Sequence, residues 1–197
     1  MKKRPSNFIP TILVILVILA ITFLAGPLLD RLFLPWAFES ADHPALVGGW
    51  VGTLTTTTGD QRGVILEMYL PEPKGRGLRR DWRSAPYGEV EGTLKMCAED
   101  GQMRLYTIEG NPEDREASRL HFYSTPAEKP APEGLTSNWY NGTWDGANKL
   151  DFTVTFHWEK DGAAISGPDY PDTDAPATLA MSRGSETEFW AICAQLE

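Results

Sequence analysis

The chain is 197 residues long with a formal net charge of −9, and from Glu39 onward acidic residues outnumber basic ones 26 to 14. That imbalance argues against nucleic acid or an anionic lipid surface as a partner and favours basic proteins or metal cations. No P-loop, G-x-S-x-G or H-E-x-x-H motif is present, so the expectation is a non-enzymatic protein without a cofactor.

Residues 1–7 read as a short cytoplasmic tail. Phe8 to Gly26 follows as FIPTILVILVILAITFLAG, with no charge. At about 1.5 Å per residue such a run nearly matches a ~30 Å hydrocarbon core, which predicts a transmembrane helix over 8–26. Lys2, Lys3 and Arg4 precede the run and hold the N-terminus on the cytoplasmic side. The expectation is a single-pass protein of the bacterial inner membrane with its C-terminal domain in the periplasm. A cleaved signal peptide competes with this reading, but its apolar core spans about 7–15 residues and ends in a small-x-small site. Here the run is longer, and its one candidate site, Leu24-Ala25-Gly26, meets Pro27.

Residues 27–45 form an amphipathic juxtamembrane segment. Asp30 and Arg31 leave the hydrocarbon, while Phe33, Trp36 and Phe38 are expected at the membrane interface, where aromatic rings collect. The segment would either lie on the bilayer or dock against a neighbouring membrane subunit.

Residues 46–197 read as one extracytoplasmic β-domain. Strands are predicted over Trp50–Thr57, Val64–Leu70, Glu89–Cys97, Met103–Glu109, Arg119–Ser124, Thr143–Ala147, Leu150–Glu159, Ala177–Ser182 and Glu188–Ala194. Gly59-Asp60 and Asp100-Gly101 supply turns. Phe152, Val154, Phe156 and Trp158 fall on one face, opposite Thr153, Thr155 and His157; Val90, Leu94 and Met96 oppose Glu89, Glu91 and Lys95. One-sided strands of this kind belong to antiparallel sheets with one buried face. About nine of them predict an antiparallel β-barrel or a β-sandwich. Pro71–Tyr87, Thr125–Ser137 and Ser166–Pro176 read as loops.

Gly48-x-Trp50-x-Gly52-x-Leu54 is echoed by Gly88-x-Val90-x-Gly92-x-Leu94 and by Gly142-x-Trp144-x-Gly146, each read as the start of a strand. Glycines two residues apart leave one strand face bare, for a bend or for a large ring. A Gly-x-Trp at a strand start resembles the lipocalin-type barrels, over three residues per copy. That resemblance implies a barrel whose interior binds an apolar small molecule.

Lys74, Arg76, Arg79, Arg80 and Arg83, with Trp82 among them, make the one basic cluster of an acidic domain. It is either a solvated loop or a surface for docking an acidic partner. Cys97 and Cys193 can pair in an oxidising compartment or remain free thiols. Asp169, Asp172 and Asp174 lack the EF-hand pattern, and His43, His121 and His157 lack ligand spacing, so no metal site is expected. His121 and His157 should point outward. The expected function is a non-catalytic accessory or scaffolding subunit of a larger membrane complex, of respiratory, photosynthetic or export type. Its partners would be integral membrane subunits and the lipid bilayer. The alternative is an anchored, lipocalin-like binder of an apolar small molecule.

Overall fold

The computed structural model describes residues 12–19, 31–40, 44–71, 86–97, 103–127, 135–160, 163–167 and 177–196. Helix α1 covers residues 12–19, and a single 3-10 turn covers Pro35–Ala37. Nine strands follow: β1 (Gly48–Thr55), β2 (Gln61–Tyr69), β3 (Val90–Cys97), β4 (Met103–Pro112), β5 (Arg119–Pro126), β6 (Leu135–Trp144), β7 (Lys149–Lys160), β8 (Ala163–Gly167) and β9 (Ala177–Arg183). Helix α2 (Glu186–Leu196) closes the described chain.

From β1 to β7 each strand pairs antiparallel with the next, so the chain is a meander. Strand β9 then pairs with β1 on one side and with β7 on the other, which closes the sheet into an eight-stranded antiparallel barrel. Strand β8 stands outside this ring. It pairs with Phe156–Lys160 of β7, whereas β9 takes Lys149–Val154. One long strand therefore serves two partners end to end on the same flank. Closure removes the free edges of the eight ring strands over the span where β9 pairs with β1 and β7.

The alternation read in the sequence sorts inside from outside. Leu54, Val64, Leu66, Leu94, Met96, Ile108, Phe122, Phe152 and Val154 share one buried cluster inside the barrel. One glycine of the repeat is needed for close approach: a Cβ on Gly142 would strike the Phe152 ring and the Asp151 carbonyl. Gly142 and Trp144 end strand β6 rather than opening one, and Gly146 lies in the following turn with φ +77°. Strand β6 begins instead at Leu135, inside a stretch rich in Asn, Ser and Gly. Cross-strand pairing with β5 and β7 overrides those weak propensities.

Glu188–Ala194 is helical, not the predicted strand. Ser185 caps it: the Glu188 carboxylate accepts the Ser185 N–H at 2.7 Å and its hydroxyl at 3.0 Å. This is the Ser-x-x-Glu box, legible in the sequence, and it decides a short apolar run whose periodicity is ambiguous. Phe189 and Cys193, four residues apart, then face the barrel and bury against Val51 and Ile65 on the outer side of β1 and β2. Lys95 and Glu186 add a 3.1 Å ion pair.

Among the described residues no helix is long and apolar enough to cross a membrane. Helix α1 carries eight of the 19 residues of the run 8–26, and the remainder of that run lies outside the described residues.

Candidate functional site

Three regions of the barrel carry features beyond simple packing: one end, a point in the interior and one outer face.

The end formed by the start of β1 and the close of β9 is stoppered by residues 34–38 together with Leu46. Leu34, Trp36, Ala37 and Leu46 all join the main buried cluster. Pro35 opens the 3-10 turn with its φ already set. The Trp36 indole donates to the Tyr87 carbonyl at 3.0 Å, and the Leu46 amide donates to the Trp36 carbonyl at 2.6 Å. The Trp50 indole donates to the Leu46 carbonyl at 2.9 Å. Arg183 lies over the Trp50 ring at 4.0 Å and donates to the Val47 carbonyl at 3.0 Å. Trp36, expected at a membrane interface, is thus a core residue with 1% of its surface exposed. An indole whose N–H finds a partner is cheap to bury, and the open end of a barrel offers apolar surface to cover. Phe38 packs against the same cluster, while Phe33 is exposed.

Inside, Ser124 and Asn138 face each other across β5 and β6 and are fully buried. The Asn138 amide donates to the Ser124 hydroxyl at 3.3 Å, and that hydroxyl lies 3.2 Å from the Tyr140 hydroxyl. The Asn138 Oδ1 has no partner among the described residues. Burial pushes the Tyr140 phenol up to about 12, so it stays protonated and serves as a hydrogen-bonding group. A polar island in an apolar barrel fixes strand register, because a slip would leave these groups unsatisfied. It holds no acid–base pair. Ser124 is readable from the sequence as inward-facing, in phase with Leu120 and Phe122. Asn138 is not, since it lies outside the predicted strands.

On the outer surface of β3 to β7 the register sets Glu91, Glu109, Tyr123, Trp139 and Thr155 side by side in one row. Tyr69 continues the row beyond Glu91. Trp139 is 47% exposed and Tyr123 39%. The Trp139 ring is flanked by His121 at 5.9 Å and His157 at 4.9 Å. His121 is itself 2.7 Å from the Asn141 Oδ1 through its Nδ1. Both histidines therefore sit on the outer face, where the alternation puts them. Desolvation beside the indole holds His157 below its ordinary value.

Tyr123 donates its hydroxyl to Glu109 at 2.5 Å, and this bond, with desolvation and the charges of Glu109, Glu89 and Glu91, raises the phenol to about 12. A tyrosine raised above 10 contributes stability that is complete below about pH 10 and is lost as the pH climbs toward 12. Glu109→Ala removes the largest cause, the hydrogen bond, together with the Glu109 charge. Its expected result is a Tyr123 titration shifted down toward 10, read from phenolate absorbance against the parent protein.

Cys97 at the end of β3 and Cys193 on α2 are bonded, with Cα atoms 6.1 Å apart. Gly63 lies directly beneath: a Cβ there would come within 2.8 Å and 2.9 Å of the two sulfurs and 3.2 Å of Ile192. Gly63→Ala is expected to lower stability by about 1–3 kcal/mol through overpacking, measured by urea denaturation. The same substitution with both cysteines replaced by alanine should cost less.

Lys74, Arg76, Arg79, Arg80, Trp82 and Arg83 lie outside the described residues, as do His43, Asp169, Asp172 and Asp174. Among the described residues no three His, Cys, Asp or Glu side chains gather as a metal site. The Tyr123–Trp139 row escapes a sequence reading that starts β6 only at Thr143. The outward phase of Tyr123 in β5 is the available signal.

No protein-family model matches the chain, and no curated protein matches it. Among solved structures it is similar to a redesigned β-barrel, b11L5F_LGL, at 12% identity over 72% of this chain and 92% of that one, with a TM-score of 0.46. It is similar to EF1p2_mFAP2b bound to DFHBI at 13% identity over 71% and 94% of the two chains, with a TM-score of 0.47. A redesigned β-barrel, mFAP1, bound to DFHBI matches at 12% identity over 71% and 94%, with a TM-score of 0.44. These likenesses concern barrel architecture, which the strand pairing of this chain establishes by itself.

Proposed function

We propose that this protein is a non-catalytic accessory subunit of a membrane complex, anchored by its N-terminal helix, with the barrel docking on the extracytoplasmic face. The observation that carries the reading is helix α1. Its eight residues, Ile12 to Leu19, are all aliphatic and all 47–63% exposed. A helix apolar on every side is stable only where its surroundings are apolar, and the uncharged run 8–26 suits a bilayer. Lys2, Lys3 and Arg4 orient it with the N-terminus in the cytoplasm, which for a bacterium means the inner membrane. The stopper supports the same reading, because Leu34, Trp36 and Ala37 tie the chain that follows the run 8–26 into the barrel core. The barrel interior is occupied by Trp50, Trp144, Phe152 and Phe156, which speaks against a barrel built around an apolar ligand.

The test is extraction of the full chain from its own membrane in a mild detergent, followed by native sizing and subunit analysis. Migration with stoichiometric integral membrane partners is the expected result. Migration as a lone small particle would end the accessory-subunit reading.

A further inference from the structure

We infer that the barrel end away from the stopper is a binding site for a small organic carboxylate that also carries a hydroxyl or amide donor. This goes beyond the accessory-subunit reading and does not depend on it. Strands β2, β4 and β6 each run antiparallel to β1, so their first residues lie at that end. Arg62, near the start of β2, pairs with Leu54 and keeps the inward phase of Val64 and Leu66. Arg104, near the start of β4, pairs with Met96 and keeps the phase of Tyr106 and Ile108. Two arginines thus face the mouth of a barrel in an acidic protein. Among the described residues of the ring strands, no Asp or Glu shares the inward phase. Arg104 has an interaction of its own within the chain, so the site is assigned to Arg62.

Arg62 is partly buried, and its Nε is buried with no hydrogen-bond partner. A guanidinium withdrawn from water without a counter-charge is costly, which makes an oxyanion its natural complement. Asn138 carries the matching defect. It is fully buried, its amide nitrogen is committed to the Ser124 hydroxyl, and its Oδ1 accepts nothing. Strands β2 and β6 lie half-way round the ring from each other, so the two groups stand across the barrel. One is a donor and the other an acceptor, yet they do not bond to each other. A molecule that accepts from Arg62 and donates to Asn138 satisfies both. Water can bridge them but brings no charge to the guanidinium. A carboxylate at one end and a hydroxyl or amide N–H at the other supply the charge and the donor together. Tyr106 and Phe156, buried on the inner face toward the same end, offer aromatic surface that suits a flat ligand.

The test is calorimetric titration of the full chain in mild detergent with 4-hydroxybenzoate. Benzoate, which lacks the donor, and 4-hydroxybenzyl alcohol, which lacks the charge, are titrated beside it. The expected result is one-to-one binding of 4-hydroxybenzoate, with each control weaker by about tenfold or more, as loss of a charge-assisted or buried hydrogen bond implies. Arg62→Met keeps an apolar stem at the rim and should weaken 4-hydroxybenzoate to the level of the alcohol. Asn138→Leu, close in size, should weaken it to the level of benzoate. Because Asn138 lies in the core, the fold of that variant is checked by near-UV circular dichroism, and Arg62→Met decides the matter if it does not fold. No binding of 4-hydroxybenzoate at millimolar concentration would overturn the inference. Equal binding by the parent and Arg62→Met would overturn it too, as would benzoate binding as tightly as 4-hydroxybenzoate. None of these outcomes touches the accessory-subunit reading, whose test is co-migration with membrane partners.

Discussion

Trp36→Ala should destabilise the barrel by about 3–5 kcal/mol, the range for removing a large buried aromatic side chain. For a chain of this size that is a fall in Tm on the order of 10 °C. The whole indole lies in the main core, so its loss leaves a cavity at the stoppered end. The Tyr87 carbonyl also loses its 3.0 Å donor. Loss of the stopper should spread to Trp50, whose indole depends on the Leu46 carbonyl, and to Arg183, which covers the Trp50 ring. The measurement is thermal unfolding of the detergent-solubilised protein, followed by near-UV circular dichroism. A residue that merely rested at a membrane interface would leave barrel unfolding unchanged, so an unaltered Tm would refute the stopper.

Replacing Cys97 and Cys193 together by alanine should cost about as much. The bridge closes a loop with a sequence separation of 96, for which the chain-entropy model gives about 4–5 kcal/mol. The bridge also holds helix α2 over Val51 and Ile65, so the loss should be local before it is global. Hydrogen exchange should show early opening of α2 and of the β1–β2 face beneath it, with β5 to β7 protected for longer. Uniform loss of protection around the barrel would contradict this order. Reduction of the parent protein should reproduce the effect, since the two sulfurs form the single bridge of a chain with two cysteines.

Much of the β-domain is legible in the sequence because alternation at period two is a direct imprint of one buried sheet face. Val64 to Leu70, Glu89 to Cys97 and Leu150 to Glu159 match their strands within a few residues. Strands β6 and β8 escape for different reasons. Strand β6 is made of residues that pair poorly by themselves and is held by neighbours on both sides, while β8 is short and exists as a ladder against the far half of β7. Helix α2 reads as a strand despite its Ser-x-x-Glu box, because the apolar run behind the box is too short to show a period.

From the sequence alone come the uncharged N-terminal run, the acidic balance, the antiparallel one-faced strands and the two cysteines that could pair. Those properties are local or compositional, so they survive without knowledge of the fold. Barrel against sandwich is decided only in three dimensions, since closure depends on β9 meeting β7 on one flank and, across most of the length of the domain, β1 on the other. The fate of Trp36 is decided there too. An aromatic in an amphipathic segment satisfies a membrane interface and a barrel mouth equally well, and the open end of the sheet is what draws it inside. The outward row from Glu91 to Trp139 likewise exists only as register: its members lie 14 to 18 residues apart in the chain and become neighbours when four strands align.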